Sequence, residues 1–113
     1  MSAIASNLPH SFTPRLTAFE TEFVRTVLEH RGLFREPSQD EFAAALQVLR
    51  RYDEQVIANP RHEDRFAPKL EGDDMAALRA KAYMMFGTIR PSPAQWHKAH
   101  TALFGPQLCE TCG

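Results

Sequence analysis

The chain has little cysteine, little net charge and no long apolar run. Of its 113 residues two are cysteine, and both fall in the last five. A disulfide-stapled small domain spreads more cysteines along its length, so that class is excluded. The net charge is −1, from 13 Lys plus Arg against 14 Asp plus Glu. Such a chain has no global field to draw in nucleic acid. Its local basic clusters, Arg50-Arg51 and residues 61–65, are interleaved with acids: Asp53 and Glu54 after the first, Glu63 and Asp64 inside the second. They read as mixed-charge, solvated surface rather than as a phosphate-binding patch. The longest compact apolar run, residues 82–86, is far too short to cross a bilayer. The N-terminal residues lack the charged and apolar regions of a secretory signal. The expectation is a cytoplasmic protein with neither nucleic acid nor membrane as its partner. In that compartment, closely spaced thiols are expected to be reduced, metal-bound or redox-active.

Several chemical signatures are absent as well. No stretch alternates apolar and polar residues as a strand does. There is no internal repeat with a period of roughly 20–50 residues and no low-complexity tract. G-x-S-x-G, P-loop and dinucleotide fingerprints are missing. The carboxylates Glu20, Glu22 and Glu29 do not make the Glu and Glu-x-x-His pattern of di-iron bundles.

What the chain does have is an ordinary globular balance, 43% hydrophobic and 24% charged, too apolar for a disordered tail. Its length suits one domain. Proline and glycine punctuation divides it into four helical stretches. The first is expected over residues 14–30, with Thr13 as cap, Pro14 at the first helical position, and Arg31-Gly32 as the stop. Leu16, Phe19, Phe23, Val24, Val27 and Leu28 form its apolar stripe. In the second, Ser38 and Glu41 make a capping box, Phe42, Ala45, Leu46, Leu49, Tyr52, Val56 and Ile57 mark the buried face, and Pro60 ends it.

A loop over residues 59–72 follows, long enough to carry function, which Phe66 and Leu70 are expected to pin to the core. The third helix is expected to begin at Asp73 or Asp74, to bury Met75, Leu78, Ala82, Met85 and Phe86, and to stop at Gly87. Ser92, Pro93 and Gln95 start the fourth, which turns Trp96, Ala99, Leu103 and Phe104 inward and breaks at Gly105-Pro106. The fold expected is all-α, a small four-helix bundle or an irregular helical array sharing one core, with a C-terminal Cys-x-x-Cys tail. Residues 1–12 form a loose N-terminal segment, 13–105 a single helical domain, and 106–113 the tail.

One constellation carries recognisable chemistry. His97 and His100 lie at i and i+3 on neighbouring parts of one helical face, and Cys109 and Cys112 follow after the helix break. The pattern H-x2-H-x8-C-x2-C supplies four nitrogen and thiolate donors, the set tetrahedral zinc prefers. Its order differs from usual zinc patterns, which place Cys pairs before His pairs or use two Cys pairs. The same cysteines form a dithiol that could undergo redox exchange with a partner. The third reading is a terminus without a role, and all three stay open.

His62-Glu63-Asp64 reads as solvated loop, because adjacent residues seldom converge on one point. His30, in the last turn of the first helix, reads as a cation favoured by the helix C-terminus. Tyr83, Met84 and Met85 beside Phe86 read as core rather than as a small-molecule pocket. No acid/base set is visible, while Phe numbers eight and Met four. The functional expectation is therefore a protein-binding accessory or regulatory protein, an adaptor or inhibitor without catalytic activity of its own. Its partner would be another protein or a second copy in a homodimer. Zinc binding and thiol redox chemistry are the alternatives.

Overall fold

The computed structural model describes residues 15–59 and 66–105. Four helices account for most of them: α1 (Ala18–His30), α2 (Gln39–Ala58), α3 (Gly72–Phe86) and α4 (Pro93–Phe104). No strand occurs among the described residues. The fold is all-α. Among these residues no helix is long and apolar enough to cross a membrane.

Helix ends follow local chemistry. Three helices open with a reciprocal capping box, which satisfies two backbone donors that a helix start leaves free. In α2, Glu41 N–H donates to Ser38 Oγ at 3.2 Å, and Ser38 N–H donates to Glu41 Oε1 at 2.8 Å. In α4, Gln95 N–H donates to Ser92 Oγ at 3.2 Å, and Ser92 N–H to Gln95 Oε1 at 2.9 Å.

The third box moves the start of α1. The helix begins at Ala18, and residues 15–17 are not helical, so the expected start at Pro14 is corrected. Thr17-x-x-Glu20 decides this: Glu20 N–H donates to Thr17 Oγ1 at 3.0 Å and Thr17 N–H to Glu20 Oε1 at 2.9 Å. Thr13 and Pro14 lie outside the described residues. α3 starts slightly earlier than expected, at Gly72, with Glu71 as N-cap and no side-chain cap bond. Asp73 and Asp74 sit in its first turn, where negative charge meets the positive end of the helix.

The helices neighbour one another in the spatial order α2, α1, α3, α4, with α1 against α2 and α3, and α3 against α4. The result is the irregular array rather than a bundle around one core. Two apolar clusters lie on opposite sides of α3. The larger joins Phe23, Val27, Leu49, Tyr52, Ala80 and Ile89. The smaller joins Leu78, Ala82, Trp96 and Ala99, with Leu70 packed against it. The division follows from the sequence of α3, which buries Ala76, Ala77 and Ala80 as well as Leu78 and Ala82. A helix buried on both sides is apolar nearly all round. Its alanines leave room for a neighbour's backbone to come close.

An aromatic relay ties α1, α2 and α3 together. Phe19 and Phe23 have ring centroids 6.0 Å apart, Phe23 and Tyr52 4.9 Å, and Tyr52 meets Tyr83 edge-on at 5.4 Å. Offset and edge-on pairs of this kind add about 0.5–1.5 kcal/mol each beyond the area they bury. Gln55 Nε2 donates to the Tyr83 hydroxyl at 2.9 Å, a second tie between α2 and α3. Tyr83 and Met84 thus belong to the core, as expected. Four expected core positions do not: Ile57 is 78% exposed, Phe66 57%, Phe104 44% and Met85 36%.

Candidate functional site

An apolar opening lies between α1, the loop after it and the start of α2. Its construction begins at Gly32, whose φ of 84° only glycine adopts freely. With Gly32 there, Leu33 N–H reaches back to Leu28 O at 2.9 Å and Gly32 N–H to Glu29 O at 2.9 Å. This is a Schellman closure of α1. It folds Leu33 back over Leu28 and sends Phe34 outward, 79% exposed.

The far end of the loop is fixed by charge. Arg35 Nη1 and Nη2 each donate at 2.9 Å to the two oxygens of Glu41, and Nη1 also donates to Glu36 O at 3.0 Å. The two-pronged bond from Arg35, followed by the Ser38 backbone bond, holds the Glu41 carboxyl down at about 2. One carboxylate therefore caps α2 and anchors the loop.

The groove so formed encloses about 440 Å³. That lies in the usual range of ligand pockets, roughly 300–1,000 Å³. Its apolar lining is Leu16, Val24, Leu28, Leu33, Phe34 and Phe42. Val24, Leu28 and Phe42 are buried, so the floor is rigid core. Arg25, Glu29, Arg35 and Glu36 form the charged rim. Arg25 is ion-paired with Glu22 and with Glu29, the latter at 2.6 Å. An apolar floor inside a charged rim suits a docking surface. In the sequence Leu16, Val24, Leu28 and Phe42 stand out only as apolar stripe, Leu33 and Phe34 carry no assignment, and nothing places them in one groove. The signal that could have found it is the unshielded pair Leu33-Phe34 directly after a helix stop.

Of the expected metal residues, the two histidines lie away from this groove, on α4. His97 is exposed and His100 half-buried on α4. Both line one small cleft of about 210 Å³ with Phe66, Pro68, Pro93 and Trp96. The His100 ring lies 4.8 Å from that of Phe104, tilted by 52°. Cys109 and Cys112 lie outside the described residues. Among the described residues no three His, Cys, Asp or Glu side chains come together as a metal site. His62, Glu63 and Asp64 also fall outside the description.

His30 departs from its expected role as a helix-end cation. Its Nδ1 lies 3.0 Å from Lys81 Nζ on α3. Burial, then the charges of Lys81 and Arg31, push its pKa below the ordinary value. An ammonium can only donate, so with Lys81 as donor Nδ1 is the acceptor, a contact that favours the neutral ring.

Comparison of the chain with protein-family models, with curated proteins and with solved structures finds no match. The reading of function rests on the geometry above.

Proposed function

We propose that this is a small protein-binding accessory or regulatory protein of the cytoplasm, without catalytic activity of its own. The α1/α2 groove is its docking surface. The observation that carries this reading is an apolar groove floored by buried Val24, Leu28 and Phe42, with a Phe34 ring left 79% exposed on its edge. Burying one such ring gains about 1.5–3 kcal/mol. A partner's apolar helix face or short apolar segment fits this shape, with its hydrophobic side inward and its polar side against the charged rim. The test is paired affinity capture from the cells that make the protein, using wild type and Phe34→Asp. A partner retained by wild type and lost by the variant supports the reading. Equal retention by both, or none by wild type, contradicts it.

A second reading is favoured by one observation, that His97 and His100 line the same cleft. Here zinc would be held by these two histidines with Cys109 and Cys112, closing the tail onto α4. Elemental analysis of untagged, reduced protein tests it. About one zinc per chain, lost on Cys112→Ser, is expected; less than about a tenth of a metal per chain excludes the site.

A further inference from the structure

Two reactive side chains meet where α1 packs on α3. His30 is the last residue of α1, and Lys81 lies within α3. Lys81 Nζ stands 3.0 Å from His30 Nδ1. Packing sets this approach. Lys81 sits between Ala80 and Ala82, both buried, and His30 stands between buried Leu28 and the turn at Gly32. Both side chains are half-buried, so the core positions the pair while solution still reaches it.

A lysine amine attacks a carbonyl carbon through its lone pair, and it must shed a proton as the new C–N bond forms. A base held beside the amine takes that proton, and a neutral imidazole suits the task. His30 Nδ1 lies within the reach of such a base, about 2.6–3.2 Å. Burial first, then the charges of Lys81 and Arg31, keep the ring unprotonated at neutral pH. The bond to Nδ1 uses one of the three donor positions of Nζ, which leaves the side away from His30 for an incoming carbonyl. The other two lysines of the chain lack this arrangement. Lys69 and Lys98 are exposed, and among the described residues neither is hydrogen-bonded to a histidine.

We propose that Lys81 is a self-assisted acylation site, where His30 serves as the base while Lys81 takes an acyl group from a small acyl thioester. The bond from Nζ to the carbonyl carbon forms, and the Nζ proton passes to His30 Nδ1. The C–S bond then breaks, and the leaving thiolate takes that proton back from His30, which ends neutral. Counted from the lysine ammonium, the products are an amide, a thiol and one proton released to solution. No oxidant or reductant enters. The modification removes a positive charge from the contact between α1 and α3. It happens once per chain and needs no occupant in the α1/α2 groove, so it stands apart from the proposed function.

The test is incubation of the full chain with S-acetyl-N-acetylcysteamine, a small acyl thioester. Acetylation at Lys69, Lys81 and Lys98 is followed over time by peptide mass spectrometry. Lys81 should react about tenfold faster than either exposed lysine, a modest part of the roughly 100–10,000-fold that a positioned base supplies in an enzyme. His30→Gln keeps an acceptor for the Lys81 N–H but cannot take up the proton. It should slow Lys81 to the rate of the other two lysines and leave their rates unchanged, with far-UV circular dichroism showing that the helices are kept. Lys81 reacting no faster than Lys69 and Lys98 in wild type overturns the proposal without any variant. So does His30→Gln that leaves the Lys81 rate intact, since exposure or local charge then sets that rate. Capture with Phe34→Asp bears only on the groove, so each proposal can fail alone.

Discussion

At the scale of single residues, two polar groups of α1, the buried Thr26 and the half-buried His30, carry testable energetics. Thr26 is 2% exposed, and its hydroxyl makes no hydrogen bond among the described residues. A buried hydroxyl without a partner costs stability that an isosteric methyl does not. Thr26→Val is expected to stabilise the fold by about 1 kcal/mol, read from the midpoint of urea unfolding. His30 gives a pH dependence of definite sign. Its folded pKa lies below its ordinary value of 6.5, chiefly through burial and then through Lys81. The unfolded chain thus takes up the proton first as pH falls. Stability linked to His30 is present in full above 6.5 and is lost as pH drops through that value toward the lowered folded one. Unfolding followed between pH 7.5 and 5 should show this loss, and His30→Gln, which cannot titrate, should flatten it.

The helical elements were legible wherever their signals were local. Ser38 with Glu41 and Ser92 with Gln95 mark their starts unambiguously, and Gly32 and Gly87 mark stops because both take positive φ. α1 starts later than expected because two caps compete within five residues. Thr13-Pro14 suits a helix start, but Thr17-x-x-Glu20 satisfies two donors at once and wins. Thr17→Ala should therefore cost about 1 kcal/mol in global unfolding. A negligible effect would mean that the box contributes nothing to where α1 begins. The alanine side of α3 is only partly legible, for a different reason. Ala76, Ala77 and Ala80 read as neither core nor surface, so Tyr83 and Met84 alone mark that side, whereas Leu78, Ala82 and Phe86 mark the other. Ile57 and Phe104 show the converse, apolar residues at helix ends that stay 78% and 44% exposed.

At the scale of the molecule, α3 is shared by both apolar clusters. Loss of either cluster strips one side of the same helix, so the two should melt together. Trp96, the chain's single tryptophan, reports on the smaller cluster, while far-UV circular dichroism reports on all four helices. Their thermal transitions are expected to coincide, and two separated transitions would mean that α4 unfolds alone. The groove is also a property of the whole fold. Leu16, Leu28, Leu33 and Phe42 come from α1, the residues on either side of it and the start of α2. Helical spacing marks Leu16, Leu28 and Phe42 as apolar stripe, but only the loop closure at Gly32 and the Arg35–Glu41 pair turn those stripes into an opening. The histidines at the other end show the reverse case: spacing alone put His97 and His100 on one face, and the fold sets both on one cleft.

On the proposed function, the α1/α2 groove, rather than exposed apolar surface in general, is where another protein would bind. A photo-reactive phenylalanine analogue placed at position 34 or at position 57 compares two similarly exposed apolar sites. After irradiation in the cells that make the protein, position 34 should yield a cross-linked species heavier than the chain, and position 57 should not. Adducts at position 57 alone, or at both positions in equal yield, would contradict the account.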